Sequence, residues 1–266
     1  MKFVLNSRNV YDYLVENGLC DSLQKGEPYP SQASQSNVER ISAKNFNLLV
    51  TLPEGRKLLV KQEQYNSQGK TLGELFGEWR IQKFLRTFPE LDHWRVFLPE
   101  LLFHDPEKSI VVSTYLDNYR DLSDFYSKEN SFPTKVAAQI GKFLGTVHRD
   151  TWNRENYREF FASEVVSTKP EVSPLLVDSL ERIGPEIFGM APVDGLRFFA
   201  LYQRYDSLGE AIAQLRETLS PTCLTHNDLK LNNILMAQDW ENSGENIVRL
   251  IDWERSSWGD PAFDLG

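Results

Sequence analysis

Two short segments near the end of the chain constrain its fold more than any other feature: His226-Asn227-Asp228-Leu229-Lys230-Leu231-Asn232-Asn233-Ile234-Leu235 and Leu250-Ile251-Asp252-Trp253-Glu254. The first sets an aspartate and an asparagine five residues apart on one loop, then runs into an apolar strand. The second places an aspartate after another short apolar strand. For Asp228, Asn233 and Asp252 to act together, that loop and the end of the following strand must face a common cleft. A carboxylate, an amide oxygen and a second carboxylate form the set used when a γ-phosphoryl group moves from a magnesium nucleotide. One carboxylate accepts the proton of the attacking hydroxyl, and the other two groups hold the cation that bridges the phosphates.

Composition narrows the alternatives. With 266 residues, 41% of them hydrophobic and 12% aromatic, the chain can bury a core in one large domain or two small lobes. A net charge of -9 disfavours nucleic acid as a partner, which would need a basic face. The same charge is compatible with a cationic acceptor. No apolar run reaches the length of a membrane span, and Met1 to Leu5 is too short for a signal-peptide core. The two cysteines, Cys20 and Cys223, lie far apart, which suits a reducing cytoplasm. A cytoplasmic protein is therefore expected.

The order of patterns along the chain is α+β. Residues Asn9 to Gly18 read as a short amphipathic helix with Val10, Tyr13 and Leu14 on one face. Runs from Val38 to Leu52 and from Arg56 to Gln64, split by Pro53-Glu54-Gly55, read as an antiparallel hairpin. Thr71 to Phe88 reads as a helix. Leu98 to Phe103 and Ile110 to Tyr115 read as strands joined by a turn around His104-Asp105-Pro106. Lys135 to His148 and about Pro174 to Thr218 are mainly helical patterns, so strands dominate before a hinge near Thr114 to Asp117 and helices after it. Lys61, at the end of an apolar strand, can hold the α- and β-phosphates if a carboxylate on the next helix fixes its ammonium. Lys61 and Glu78 are the preferred pair, with Lys57 and Glu74 as the competing choices for the lysine and the glutamate.

The catalytic segment resembles that of the aminoglycoside phosphotransferase and choline kinase superfamily, which shares its fold with protein kinases. That family reads His-Gly/Asn-Asp-x-x-x-x-Asn, then Ile-Asp-Trp/Phe-Glu, then Gly-Asp-Pro-x-x-Asp-Leu. The third pattern is met at Gly259-Asp260-Pro261-Ala262-Phe263-Asp264-Leu265. His-Asn-Asp-Leu and Asp-x-Glu are nearest the choline/ethanolamine kinase branch, whereas Gly-Asp-Pro-Ala-Phe-Asp-Leu is nearer the antibiotic kinases. The resemblance implies a bilobal protein-kinase-like fold. Residues 1–116 would form a small antiparallel-sheet N-lobe that binds nucleotide, and residues 117–266 a mainly helical C-lobe with the catalytic loop and metal site. It implies ATP and Mg2+ as cofactors and a small-molecule hydroxyl as acceptor, aminoglycoside-, choline- or sugar-like.

On this resemblance Asp228 is the base, Asn233 and Asp252 hold the metal, and Lys61 with Glu78 steadies the nucleotide. Lys230 would stabilise the transferring phosphoryl group, at a position where the family often has histidine or glutamine. Thr114 and Leu116 would read the adenine edge through their backbones. His226, Asp264 and His148, the last ending a Leu-x-x-x-His helix, are scaffold rather than catalysts. The phosphate-covering segment Ile41-Ser42-Ala43-Lys44-Asn45-Phe46-Asn47 departs from protein kinases because it has no glycine. Ser42, Lys44 and Asn47 would donate there instead. Family members usually continue past Asp-Leu with helices that line the acceptor pocket, so the end at Gly266 reads as a fragment, a truncated gene or a compact member, and a missing tail would take part of that pocket with it.

Trp152, Glu155, Tyr157, Glu159, Phe160 and Phe161, with Trp253 and Trp258, can form a cation pocket or pack as core, and core packing is the favoured reading. Two rivals stand beside the enzyme reading. One is a nucleotide-binding pseudokinase without transfer. The other is a protein kinase, against which the short gap between Asp252 and Asp264 leaves no activation segment.

Overall fold

The computed structural model describes residues 2–20, 37–41, 45–163, 193–244 and 247–265. Helix α1 (Val10–Glu16) buries Val10, Tyr13 and Leu14, the face expected from their spacing. It packs on a five-stranded antiparallel sheet in the order β1-β2-β3-β5-β4, formed by Val38–Ile41, Phe46–Thr51, Lys57–Gln62, Ile110–Thr114 and Leu101–Asp105 for β1, β2, β3, β5 and β4. Strand alternation sorts the side chains between the two faces. Leu48, Val50, Leu58, Val60, Ile110 and Val112 join the α1 residues in one apolar cluster. Lys61 is therefore turned to the other face, in register with Asn47 on one side and Val111 on the other.

Helix α2 (Leu75–Thr87) lies against that second face. The sequence pattern places its start at Thr71, but Gly73 has φ +75° and Leu72 is exposed. Two long-range bonds set the start instead: the buried Glu63 carboxylate accepts the Gly73 amide at 2.9 Å and the Leu75 amide at 2.7 Å. A distant carboxylate thus does the work of a local cap. The run from Val38 to Leu52 is likewise two strands, not one, because β1 and β2 pair antiparallel with Ile41 opposite Asn47. Ser42 and Lys44, expected donors in the connection between them, lie outside the described residues. Strand β4 extends through Asp105, past the turn expected at His104-Asp105-Pro106. Asp105 makes the turn that follows, accepting the amides of Glu107 and Lys108.

The second half is mainly helical. It holds α3 (Leu122–Glu129), α4 (Thr134–Thr151) and α5 (Glu155–Ser163), with further helices at Val193–Arg204 and Asp206–Thr218. The rest of the expected helical stretch, residues 174–192, lies outside the described residues. A large apolar cluster joins Phe84 and Leu85 of α2 to Phe143, Leu144 and Val147 of α4 and to Tyr157 and Phe161 of α5. It also takes in Trp253 and Trp258, so these aromatics are core rather than a cation pocket, as favoured. Trp152 differs, with nearly half its surface exposed. Two small antiparallel sheets complete this half. One pairs β7 (Cys223–Thr225) with β10 (Ser257–Gly259), and the other orders β6 (Tyr119–Asp121), β8 (Ile234–Ala237) and β9 (Val248–Leu250) as β6-β8-β9.

Candidate active site

The candidate catalytic segment begins where β7 ends. Buried Asp264 holds it there: its carboxylate accepts the His226 amide at 2.9 Å, the Asn227 amide at 2.9 Å and the His148 Nε2 at 2.9 Å. Asn227 sits at φ +62°, and its side-chain amide donates to the Arg255 carbonyl and to Ser257 Oγ. Left-handed backbone at a non-glycine residue stores strain, which surrounding bonds must hold. His226 is fully buried and packs on Trp253, with ring centroids 4.5 Å apart. Burial pulls its pKa below the ordinary histidine value despite nearby Asp264, so the ring is neutral. The network then assigns its tautomer: Nε2 donates to the Ile251 carbonyl at 3.0 Å, and Nδ1 accepts the Asp228 amide at 3.3 Å. This histidine is scaffold, tying the loop to the strand end that carries Asp252.

A strand hairpin brings the remaining groups together. Asn233 precedes β8 and Asp252 follows β9, and the Ile251 amide donates to the Asn233 carbonyl at 3.0 Å. The Asn233 side-chain amide donates to the Asp228 carbonyl at 2.9 Å and to Asp228 Oδ2 at 3.1 Å. Its donor is thereby committed to Asp228, which leaves Oδ1 as its group for a cation. Lys230 Nζ also donates to Asp228 Oδ2, at 2.8 Å. Asp252 itself is left-handed, at φ +67°.

From the sheet side, Lys61 Nζ meets Glu78 Oε1 and also reaches Asp252 Oδ1 at 3.2 Å. The pair preferred from sequence is the one formed, whereas Lys57 pairs with Asp117 at 2.6 Å. Burial alone would lower the Lys61 pKa, but the two carboxylates outweigh it and hold the ammonium charged. Burial raises Glu78, and Lys61 only partly offsets it. Asp252 stays below the usual carboxylate range despite burial, chiefly because the Lys61 ammonium stabilises its anion. Glu78, Asp252 and Glu254 each offer a carboxylate oxygen within 4.8 Å of the others. Hard oxygen donors at this density suit magnesium. Sequence reasoning left Glu254 open between the metal site and a loop cap, and its carboxylate lies with Glu78 and Asp252; Glu63, which sets the start of α2, was missed.

The other expected residues are placed as follows. Asn47 is buried on the Lys61 face, and its Oδ1 has no hydrogen-bond partner among the described residues. The Thr114 amide donates to the Glu100 carbonyl at 2.9 Å, and the Leu116 carbonyl accepts the Tyr119 amide at 3.1 Å. A base bound there would have to use the Thr114 carbonyl and the Leu116 amide.

The model for the phosphotransferase enzyme family matches residues 25–266. The chain belongs to this family. Family members of similar sequence include human choline/ethanolamine kinase, 30% identical over 93 residues, which are 34% of this chain and 23% of that protein. A 4-hydroxytryptamine kinase of Psilocybe cyanescens is 24% identical over 182 residues, 65% of this chain and 45% of that protein. The chain thus spans less than half the length of the curated relatives it matches. Among solved structures, the choline kinase LicA of Streptococcus pneumoniae superposes with a TM-score of 0.51 at 18% identity, covering 97% of this chain and 71% of that one. The streptomycin–ATP ternary complex of APH(2")-IIa gives 0.53 at 17% identity, covering 98% and 75%. These likenesses establish the bilobal kinase-like fold of the family.

Proposed function

We propose that the protein transfers the γ-phosphoryl group of Mg-ATP to a hydroxyl of a small molecule. The observation that carries this reading is the junction of two ion clusters from opposite halves of the fold. Lys61 and Glu78 come from the sheet and α2 and Asp252 from the β9 end, while Asn233, which bonds Asp228, is tied through its carbonyl to the Ile251 amide beside Asp252. Asn233, Asp252 and Glu254 would hold Mg2+, which neutralises phosphate charge when bound. Lys61, fixed by Glu78, steadies the α- and β-phosphates, with Asn47 beside it on the sheet. The adenine lies against the Thr114 and Leu116 backbone.

In the reaction Asp228 takes the proton of the acceptor hydroxyl while its oxygen attacks the γ-phosphorus. The bond to the β,γ-bridging oxygen breaks, and ADP leaves. Lys230 turns from Asp228 to the transferring group. Positioning and charge neutralisation supply most of the rate enhancement. The acceptor is a hydroxyl compound that carries an amine, a reading supported by the names of the curated relatives and by the net charge of -9. We place the lobe division at 1–116 and 117–266 and the protein in the cytoplasm; no helix among the described residues is long and apolar enough to cross a membrane.

An ADP-release assay across choline, ethanolamine, hydroxytryptamines, aminoglycosides, macrolides and simple sugars tests the proposal. Release stimulated by an amine-bearing alcohol supports it. Release stimulated only by neutral sugars would overturn the acceptor class, and no acceptor-dependent release would favour nucleotide binding without transfer.

A further inference from the structure

Helix α2 touches the cation-side turn through a residue that has no side chain. A Cβ built on Gly77 would lie 2.7 Å from the carbonyl carbon of Glu254 and 2.8 Å from its Cα, and closer still to its carbonyl oxygen. These are backbone atoms, which cannot swing aside as a side chain can. One turn further along α2, Arg80 donates to the Ser256 carbonyl of the same segment and lies over the Phe161 ring, 4.9 Å from its centroid. Between these two contacts on the helix stands Glu78, which meets the same Lys61 that reaches Asp252. The helix is thus seated on residues 254–256, and that seating sets how far Glu78 stands from Asp252.

We infer that Gly77 is a positioning residue: by letting α2 sit directly on the Glu254 backbone, it holds Glu78 where Lys61 is shared with Asp252. The inference rests on the reading of Lys61 and Glu78 as the nucleotide-steadying pair. Its chemistry is simple. An ångström of displacement at a charged cluster can cost orders of magnitude in function, since Coulombic and hydrogen-bonding geometry are both lost. An added methyl at Gly77 must move either the helix or the turn, and both carry members of the cluster. In an ordinary exposed helix the same change would stabilise, because alanine is the better helix former. Gly141 and Gly145 of α4 are such cases, since a Cβ at either meets nothing within 4 Å.

The test is a thermodynamic cycle read by nucleotide affinity rather than turnover. Trinitrophenyl-ATP with magnesium is titrated against the full chain as wild type, Gly77→Ala, Glu78→Gln and the double variant, with Gly141→Ala and Gly145→Ala alongside. The expected result is an affinity loss of about tenfold or more for Gly77→Ala, and no change for the α4 variants. The double variant is expected to bind no worse than Glu78→Gln alone, because residues that act through one group are not additive. Wild-type affinity in Gly77→Ala, or losses that multiply in the double variant, would overturn the inference. Wild-type affinity in Glu78→Gln would instead sink the nucleotide reading of the pair, and this inference with it. If thermal unfolding shows that Gly77→Ala does not fold, the same cycle is read with Arg80→Gln in its place, with the same outcomes deciding.

Discussion

Asp228 is held by three neighbours at once: its amide by His226, and its carboxylate by Asn233 and Lys230. Replacing it with asparagine preserves shape but removes the proposed proton acceptor. Turnover of Asp228→Asn is expected to fall by about 10²–10⁴ with nucleotide affinity retained, checked by steady-state kinetics beside calorimetric titration. Equal turnover in both proteins would remove Asp228 from the mechanism. His226 makes a separate prediction at the same scale. Its folded-state pKa lies below the unfolded value of about 6.5, so the unfolded chain binds more protons in the window between them. Stability is therefore expected to fall as pH drops below about 6.5. His104, stacked on Trp79 and also lowered by burial, adds in the same sense. Urea unfolding at several pH values checks this, with His104→Gln expected to reduce the slope and not abolish it. Asp228, Asn233 and Asp252 were legible in the sequence because their spacing is local. Glu254 was only half legible, since its convergence with Glu78 depends on a contact between distant segments.

Among the elements, α2 departs most from its sequence pattern and does most to build the site. Its apolar spacing is clear, but its start is set by Glu63, a residue on the far side of an intervening loop. No local propensity encodes that bond. Glu63→Ala is expected to cost about 2 kcal/mol in urea unfolding, because it leaves the buried Leu75 amide and the half-buried Gly73 amide at the helix start without an acceptor. A loss below about 0.5 kcal/mol would show that the helix start is held by other contacts. The β1–β2 hairpin was hidden for a different reason: its connection carries no Gly or Pro, so the two strands read as one run. Strand β3, α1 and α4 were readable from periodicity, since each buries one regular face, whereas β5 was readable as a short apolar run buried on both faces.

At the scale of the whole molecule, the fold sets a sheet-borne cation against a carboxylate from the helical half, so the proposed nucleotide binding would be linked to stability. Mg-ATP at 100 times its dissociation constant is expected to stabilise the protein by about 2.7 kcal/mol, a rise of several degrees in thermal midpoint. Differential scanning fluorimetry checks this, and Asp252→Asn is expected to lose most of the shift. The family and its fold were legible because three motifs recur in order, from His226 to Asp264. The acceptor was not legible, because the aromatic residues considered for it are mostly packed into the core. The most direct measurement is mass spectrometry of a metabolite pool incubated with the protein and Mg-ATP labelled with ¹⁸O in the γ-phosphate. The account predicts a labelled phosphomonoester formed by the wild type and absent with Asp228→Asn. No labelled product with the wild type, or the same product with both proteins, would contradict it.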